Sequence, residues 1–532
     1  MVSLLLFTAL AAIVASCKKQ EAGSKDARAY QKIPDEYAQP IMLGRQLNNP
    51  YTPEVMQQAW EQLSRADPVA AKAFDVRVTH RYIRLRPQNW QQYDQLLEDS
   101  SLALYDYPLD YEISTGDEYH DPAVAAGTPT YQYAAVPVDY QVPAGIAYDQ
   151  LAELYLPEQD PALGPDGDAK TDLVNQLVDR AMLLTGNLAD LADEEQPAGA
   201  HLKKTWNPAG KIELLDVRGN PYPYGKIPLE GVKIRARRWF TNRWTYTDAN
   251  GNYRISPGFK RPVNYLLIFE RKDFDVRKGT FGQATINGPK SGSAWNLYIT
   301  DQRQRYHGHI FSAAFDYYYD GIPGIGRPPV KGFLMPKVKI AAHNKSKDYD
   351  GLTHVPTRIL GLYSLIDIYN PGRLSPEIYS TTIHELGHAA HWDRDKKSYR
   401  QGEDKVVESW SRVIQWVYTN REYQRRGLVG FDFFKGWQFL HTSYSEYLEI
   451  MQKGYTPVAI DLIDNINQRL AVGHGSGSYA DDMVTGFTIQ DVWNTLYAAE
   501  SLTDWKNNLK ALHKPGVRNA DLDILFNFYI TL

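Results

Sequence analysis

Residues 375–388 read SPEIYSTTIHELGH, a stretch that predicts both a local structure and a chemistry. The Ser-Pro-Glu run at 375–377 is typical of a helix start, with the serine as its cap. Residues four apart lie on one face of a helix, so His384 and His388 project from the same side. Two imidazoles at this spacing can bind a metal ion, and the adjacent Glu385 lies where a carboxylate can take a proton from water.

Glu408 follows His388 by twenty residues and lies in a second helical pattern. A catalytic zinc ion takes three protein ligands and leaves one position open for water. We therefore predict Zn²⁺ bound by His384, His388 and Glu408, with Glu385 as the general base that acts on the zinc-activated water. The alternative is an ordinary helix whose histidines are solvated or satisfied in the core. The apolar side of the second helix is formed by Val406, Val407, Trp410, Val413, Ile414 and Val417.

The HExxH motif, followed after nineteen residues by glutamate, resembles the gluzincin metallopeptidases and has the spacing of thermolysin-like enzymes. The resemblance covers about residues 375–420 and implies zinc-dependent hydrolysis of peptide bonds. Those enzymes carry an aspartate four residues after the ligand glutamate, where this chain has Arg412. Either Asp404, one turn before Glu408, is the outer carboxylate, or a residue that the sequence does not identify orients the histidine. Arg412 pairing with Glu408 is a further alternative.

In related enzymes a tyrosine or histidine also stabilises the oxyanion that forms during hydrolysis. The sequence does not rank the candidates for that role. His391, three residues after His388, is a poor third ligand because a helix carries it too far along its axis from His384. We interpret His391 as a residue at the rim of the site or as a packing residue. The oxyanion candidates are His441, Tyr455, His474 and Tyr479.

A short apolar stretch over residues 4–14 precedes Cys17, which is the single cysteine of the chain. With Val14-Ala15-Ser16 before it, this cysteine resembles the lipobox of bacterial lipoproteins, although the first three residues lack the usual basic residue. The resemblance implies a signal peptide over 1–16, an acylated Cys17 and a tether over 17–32. It also implies a location in the bacterial cell envelope, as an outer membrane lipoprotein that can be exposed at the surface.

The 532 residues are too many for one core and predict about three domains, a multidomain α+β fold. Residues 33–200 indicate an N-terminal α+β domain of unknown role. Residues 211–278 resemble the carboxypeptidase regulatory-like domain, a transthyretin-type β-sandwich, and include a predicted hairpin over 247–255. Residues 285–532 are predicted to form a mostly helical, zincin-like catalytic domain with a small sheet.

The formal net charge of −5 gives no electrostatic case for nucleic acid as a partner. The expected partners are a peptide or protein substrate and, through the lipid anchor, a membrane. The chain has 37 tyrosines, and the run at 317–319 either packs in a core or lines a groove. The alternative function is therefore a non-catalytic surface lipoprotein that binds glycan or peptide, with a degenerate or structural zinc site.

Overall fold

The computed structural model combines helices with five small sheets of two to four strands, so the mixed α and β character is confirmed for the part of the chain it describes. No helix of that part has the length and apolar character that a membrane span needs. Cys17, the signal peptide, the tether, His441, His474 and Tyr479 lie outside the described residues. Those are 40–66, 75–160 (except 115 and 117), 163, 168–187, 205–219, 222–332, 336–353, 366–428, 454–471 and 480–531.

The N-terminal region contains helices packed with a three-stranded sheet, in which one strand lies between two antiparallel neighbours. Its first two helices begin at Pro53 and Trp90, and the third ends at Leu184, two residues before Gly186, which has a φ of 73°. The elements are β1 (Leu43–Gln46), α1 (Pro53–Ala66), β2 (His80–Arg86), α2 (Trp90–Glu98), β3 (Tyr111–Ile113), β4 (Gln132–Pro137), β5 (Ala147–Leu154) and α3 (Asp168–Leu184).

Two four-stranded sheets follow, and their buried apolar residues belong to one hydrophobic cluster. One sheet has the order β13-β11-β8-β9, and the other has the order β10-β6-β14 with β7 also paired to β6. The strands of these two sheets are β6 (Ala209–Asp216), β7 (Gly225–Pro228), β8 (Lys233–Arg238), β9 (Thr241–Tyr246), β10 (Asn252–Arg254), β11 (Val263–Ile268), β13 (Thr285–Ser291) and β14 (Leu297–Ile299). β12 (Phe274–Lys278) lies between β11 and β13 in the chain and belongs to a third sheet.

The Asn-Gly turn predicted to close a hairpin over 247–255 forms, but the hairpin does not. Gly251 has a positive φ of 76°, and its N–H donates to Asp248 O at 2.8 Å. The strands on either side pair with different partners, because β9 joins β8 and β10 joins β6. The turn therefore carries the chain from one sheet to the other. A local turn signal cannot specify which strands its flanks will pair with.

The third four-stranded sheet has the order β12-β15-β17-β16, with β16 antiparallel at one edge and β12 parallel at the other. The sheets do not follow the boundary predicted between residues 278 and 285. β12, which precedes it, pairs with β15, whereas β13 and β14, which follow it, pair with β11 and β6. The added strands are β15 (Val338–Ala342), β16 (Gly351–Thr353) and β17 (Ile366–Ile368).

A long helix that carries the HExxH motif, α5, packs against α4, α7 and the edge strand β16. Tyr379 of α5 donates to Asp316 of α4 at 2.8 Å, and Trp410 of α7 donates to the Gly387 carbonyl at 3.3 Å. Tyr317 and Tyr318 of α4 are buried, which confirms packing rather than a groove for them. The helices are α4 (Gln302–Tyr319), α5 (Ser375–Arg394), α6 (Lys396–Gln401), α7 (Asp404–Arg425), α8 (Val458–Asp461), α9 (Gln468–Ala471), α10 (Ile489–Thr495), α11 (Leu502–Ala511) and α12 (Asn519–Thr531).

Candidate metal centre

The start of α5 is fixed differently from the prediction that Ser375 caps it. Leu374 is the capping residue, and its N–H donates to the Glu377 carboxylate at 2.8 Å. Ser375 lies inside the first turn, where its Oγ accepts from the Val217 N–H at 2.8 Å. The serine was wrongly assigned because a contact 158 residues away uses its hydroxyl. The helix is thereby tied to the segment that follows β6.

His384, His388 and Glu408 converge in the interior, where α5 and α7 pack together. All three are buried, with exposed fractions of 2–5%. Nε2 of His384 and Nε2 of His388 are 3.1 Å apart, and Oε2 of Glu408 lies 3.3 and 3.4 Å from them. The three form a group of potential metal ligands. The sequence-predicted ligand set is therefore assembled as a compact triangle.

The triangle has the dimensions of a tetrahedral zinc site. A tetrahedral ion with bonds of ~2.0–2.1 Å separates its ligand atoms by about 3.3–3.4 Å. The observed separations of 3.1, 3.3 and 3.4 Å match this spacing. Two nitrogens and one carboxylate oxygen are also a donor set that zinc accepts. The residues present therefore fit the ion that the sequence predicts, although other divalent metals also accept such donors.

The electrostatics of the cluster follow from burial and mutual contact. Burial lowers the pKa of His384 to about 4. Burial opposes charge on His388 as well, but the carboxylates of Glu408 and Glu385 outweigh it and raise the His388 pKa. Burial alone would raise the Glu408 pKa, yet the two imidazoles hold it well below its usual range. At neutral pH the cluster therefore presents an ionised carboxylate to two imidazoles, the form that metal ligation requires.

Glu385 lies on the side of α5 that faces the edge strand β16. The hydroxyl of Thr353 donates a hydrogen bond to Oε2 of Glu385 and lies 3.1 Å from its backbone carbonyl oxygen. A Cβ placed on Gly351 would be 2.4 Å from Oε1, so only glycine permits this approach. Sequence reasoning missed both β16 residues, because neither belongs to a motif and Thr353 is 32 residues from its partner.

Asp404 does not have the outer-carboxylate role that was one alternative. It is exposed at the start of α7, where it packs against Gly454. Nδ1 of His384 and Nδ1 of His388 have no hydrogen-bond partner among the residues that the structure describes, so Asp404 orients neither ring. One turn of helix carries Asp404 out of the buried cluster and to the surface.

Two other residues lie beside the cluster. Arg412 is buried, donates to the Gln415 side chain at 3.2 Å, and has its guanidinium 4.8 Å from the centroid of the Tyr455 ring. The Tyr455 ring is in turn 6.2 Å from the His384 ring, measured between centroids. Tyr455 is thus the oxyanion candidate that the structure describes, and it lies next to a predicted ligand.

His391 is a packing residue and not a rim residue. It is 1% exposed, and its ring makes an edge contact with Tyr399 at 5.3 Å. Burial lowers its pKa to about 3, which keeps the imidazole neutral. The rim interpretation is wrong because α6 covers this part of α5 with Tyr399.

Comparisons with known proteins add little to this picture. No family model matches the chain, and no curated protein matches it. Among solved structures, a 9R-lipoxygenase from Cyanothece PCC8801 matches with 12% identity and a TM-score of 0.12. That match covers 28% of this chain and 28% of the lipoxygenase, so this chain spans well under half of that protein. A TM-score this low carries no argument about fold or function.

Proposed function

We propose that the protein is a zinc-dependent peptidase of the gluzincin type, attached to the outer membrane as a lipoprotein. The observation that carries the proposal is the buried triangle of His384, His388 and Glu408, whose ligand atoms are 3.1–3.4 Å apart. Glu385 next to it supplies the carboxylate that hydrolysis needs. When bound, zinc supplies Lewis-acid chemistry, which acidifies water and polarises a carbonyl oxygen.

Glu385 has the proton-transfer role. Its carboxylate takes a proton from the water that attacks the peptide carbonyl carbon, and it returns a proton to the amine that leaves when the C–N bond breaks. The hydrogen bond from Thr353 holds this carboxylate against β16. The absence of a side chain at Gly351 leaves room for it there. Thr353 is therefore a positioning residue for the general base.

The number of ligands favours a catalytic centre over a structural one. Structural zinc sites are closed by four protein ligands, whereas catalytic sites use three and keep one position open. Among the described residues, no fourth histidine, cysteine, aspartate or glutamate joins the group. The Tyr455 ring beside His384 places a phenol near this centre, and we assign to it the stabilisation of the oxyanion.

The change Glu385→Gln tests the proposal. We expect cleavage of a broad peptide pool to fall by about 10²–10⁴-fold, the usual contribution of a general base. Zinc content should stay the same, because Glu385 is not one of the three ligands. The matched control is Asp393→Asn, which changes an exposed carboxylate on the same helix and should cleave like the wild type. Equal, background-level cleavage by wild type and Glu385→Gln, each holding one zinc, would favour the binding-protein alternative.

The lipoprotein part of the proposal depends on Cys17 and has its own test. Cys17→Ser should release the protein from the membrane fraction or leave the precursor unprocessed, because a serine hydroxyl does not take the acyl groups. Fractionation followed by detection of the chain measures both outcomes. Membrane association equal to that of the wild type would show that the anchor is not at this cysteine.

A further inference from the structure

A cleft of about 920 Å³ lies between the N-terminal region and the sheet β13-β11-β8-β9. Its volume is in the range of small-molecule sites, about 300–1,000 Å³. Its floor includes Arg235, Trp244 and Leu266, and Lys278 at the end of β12 lines one side. β12 and β16 are the two opposite edge strands of their sheet, and Glu385 of α5 contacts β16. The cleft is therefore a site separate from the metal centre.

The floor of the cleft is one face of the sheet β13-β11-β8-β9. Arg235 is directly opposite Trp244 across β8 and β9, and it is also opposite Leu266 of β11. Side chains alternate along strands, so these residues share one face while Ile234 and Ala236 point into the core. The N-terminal region covers this face without filling it.

Flat aromatic surfaces are available in the cleft. Trp244 is 51% exposed, with the Lys233 ammonium 4.8 Å from its ring centroid. Trp90 and Phe281 are stacked with centroids 4.6 Å apart and an interplanar angle of 7°. All three rings line the cleft. Such rings pack on the apolar C–H faces of sugars and on other flat ligands.

Polar and charged side chains also line the cleft. They include Glu98, Asp106 and Gln283, which offer acceptors, and Lys233 and Arg271, which offer donors. A hydroxyl group both donates and accepts, so a ligand with hydroxyl groups can bond to both kinds of side chain.

We propose that this cleft binds an oligosaccharide. Rings for the C–H faces, together with polar side chains for the hydroxyls, match the two kinds of surface that a sugar presents. The floor is a sheet face, which offers side chains rather than the strand edge that extended peptides commonly use. Carboxylates such as Glu98 and Asp106 line the cleft together with Lys233 and Arg271, and this mixture of charge suits a polyhydroxylated ligand better than a polyanion. The site does not depend on the proposed peptidase activity.

Calorimetric titration of the full chain tests the proposal. The probes are soluble tri- to hexasaccharides from neutral and from uronic acid-containing polysaccharides, and a pool of peptides of the same lengths. We expect one saccharide site per chain, with affinity reduced about tenfold or more in Trp244→Ala through the lost ring contact. The matched control is Tyr298→Ala, which removes another exposed ring with a lysine ammonium 4.8 Å from its centroid, on β14 and outside the cleft.

The outcomes separate this proposal from the peptidase. Glu385→Gln should bind the saccharide as the wild type does, because the metal centre takes no part. Gln283→Leu removes a polar side chain from the lining of the cleft and should weaken binding even if Trp244→Ala disturbs the local fold. The proposal is overturned if no saccharide of the panel binds or if both cleft variants bind saccharide like the wild type. It is also overturned if peptides bind in the cleft and saccharides do not.

Discussion

Charged side chains are buried on both sides of the sheet β12-β15-β17-β16, and the two sides neutralise them differently. On the far side Arg277 pairs with Asp94 of α2 at 3.0 Å and with Asp275 at 2.8 Å, and Lys339 pairs with Asp94 at 2.6 Å. On the α5 side the Glu408 carboxylate faces two imidazoles, one of which has its pKa lowered to about 4.

The difference distinguishes a structural charge cluster from a ligand site. In the far-side cluster, defined by Asp94, Asp275, Arg277 and Lys339, protein carboxylates and cations neutralise one another. In the proposed metal centre the partners of the Glu408 carboxylate include two imidazoles, which become metal ligands when they are neutral. Burial of charge is common to both, and the kind of partner distinguishes them: lysine and arginine in the far-side cluster, and imidazoles, which can bind a metal ion, on the α5 side.

Asp94→Ala should have the largest effect on stability. It leaves Lys339 and Arg277 buried with one carboxylate fewer, and breaking a buried pair in this way costs about 3–5 kcal/mol. Chemical denaturation of the zinc-loaded protein measures the loss in free energy of unfolding. The kcat of the folded fraction should not change, because the cluster is on the side of the sheet away from Glu385.

A parallel change in the metal centre sharpens the comparison. In zinc-free protein, Glu408→Gln should destabilise less than Asp94→Asn, because the imidazoles that face Glu408 can be neutral, whereas Lys339 and Arg277 stay charged. If Glu408→Gln cost more in zinc-free protein than Asp94→Asn did, the metal centre would be a self-sufficient ion cluster like that of the far side.

A smaller effect is expected for Thr353→Val, which removes the hydroxyl that binds Glu385 and keeps the side-chain shape. We predict a decrease in kcat of about tenfold, or roughly 1.4 kcal/mol in the activation free energy. KM and zinc content should stay close to those of the wild type, because Thr353 is not a ligand. Steady-state kinetics on one cleaved peptide, with metal analysis of the same sample, measures all three.

Thr353→Ser is the rescue variant, since serine retains the donor. Its kcat should be near the wild-type value. If serine and valine variants lost activity equally, or if neither lost any, the hydrogen bond to Glu385 would have no part in positioning the base.

The parts of the site that the sequence predicted are those governed by local spacing. Helical periodicity alone places His384 and His388 on one face, and the apolar pattern around Glu408 predicts the helix that brings it to them. The structure confirms that these three side chains meet, and zinc and catalysis remain predictions. The helix over 90–98 is likewise specified by local sequence, because its cap at Asn89 and its few turns are contiguous in the chain.

The parts that the sequence did not predict depend on contacts between distant segments. Ser375 was misassigned because its hydroxyl accepts a hydrogen bond from the Val217 N–H. Thr353 was missed because no motif near it in the sequence indicates a contact with Glu385. The turn at Gly251 was predicted correctly and its strand pairing wrongly, because pairing is decided by β6 and β8. Asp404 is one helical turn before the predicted ligand Glu408, but Asp404 is exposed and Glu408 is buried.

Metal content per chain tests the central claim, that the buried triangle is a zinc site with Glu385 beside it. Elemental analysis after dialysis against zinc should give one zinc per chain for wild type, Glu385→Gln and His391→Ala. It should give none for Glu408→Ala, which loses one of three ligands. Zinc bound by Glu408→Ala as tightly as by wild type would contradict the ligand assignment, and loss of zinc from a folded His391→Ala would do the same.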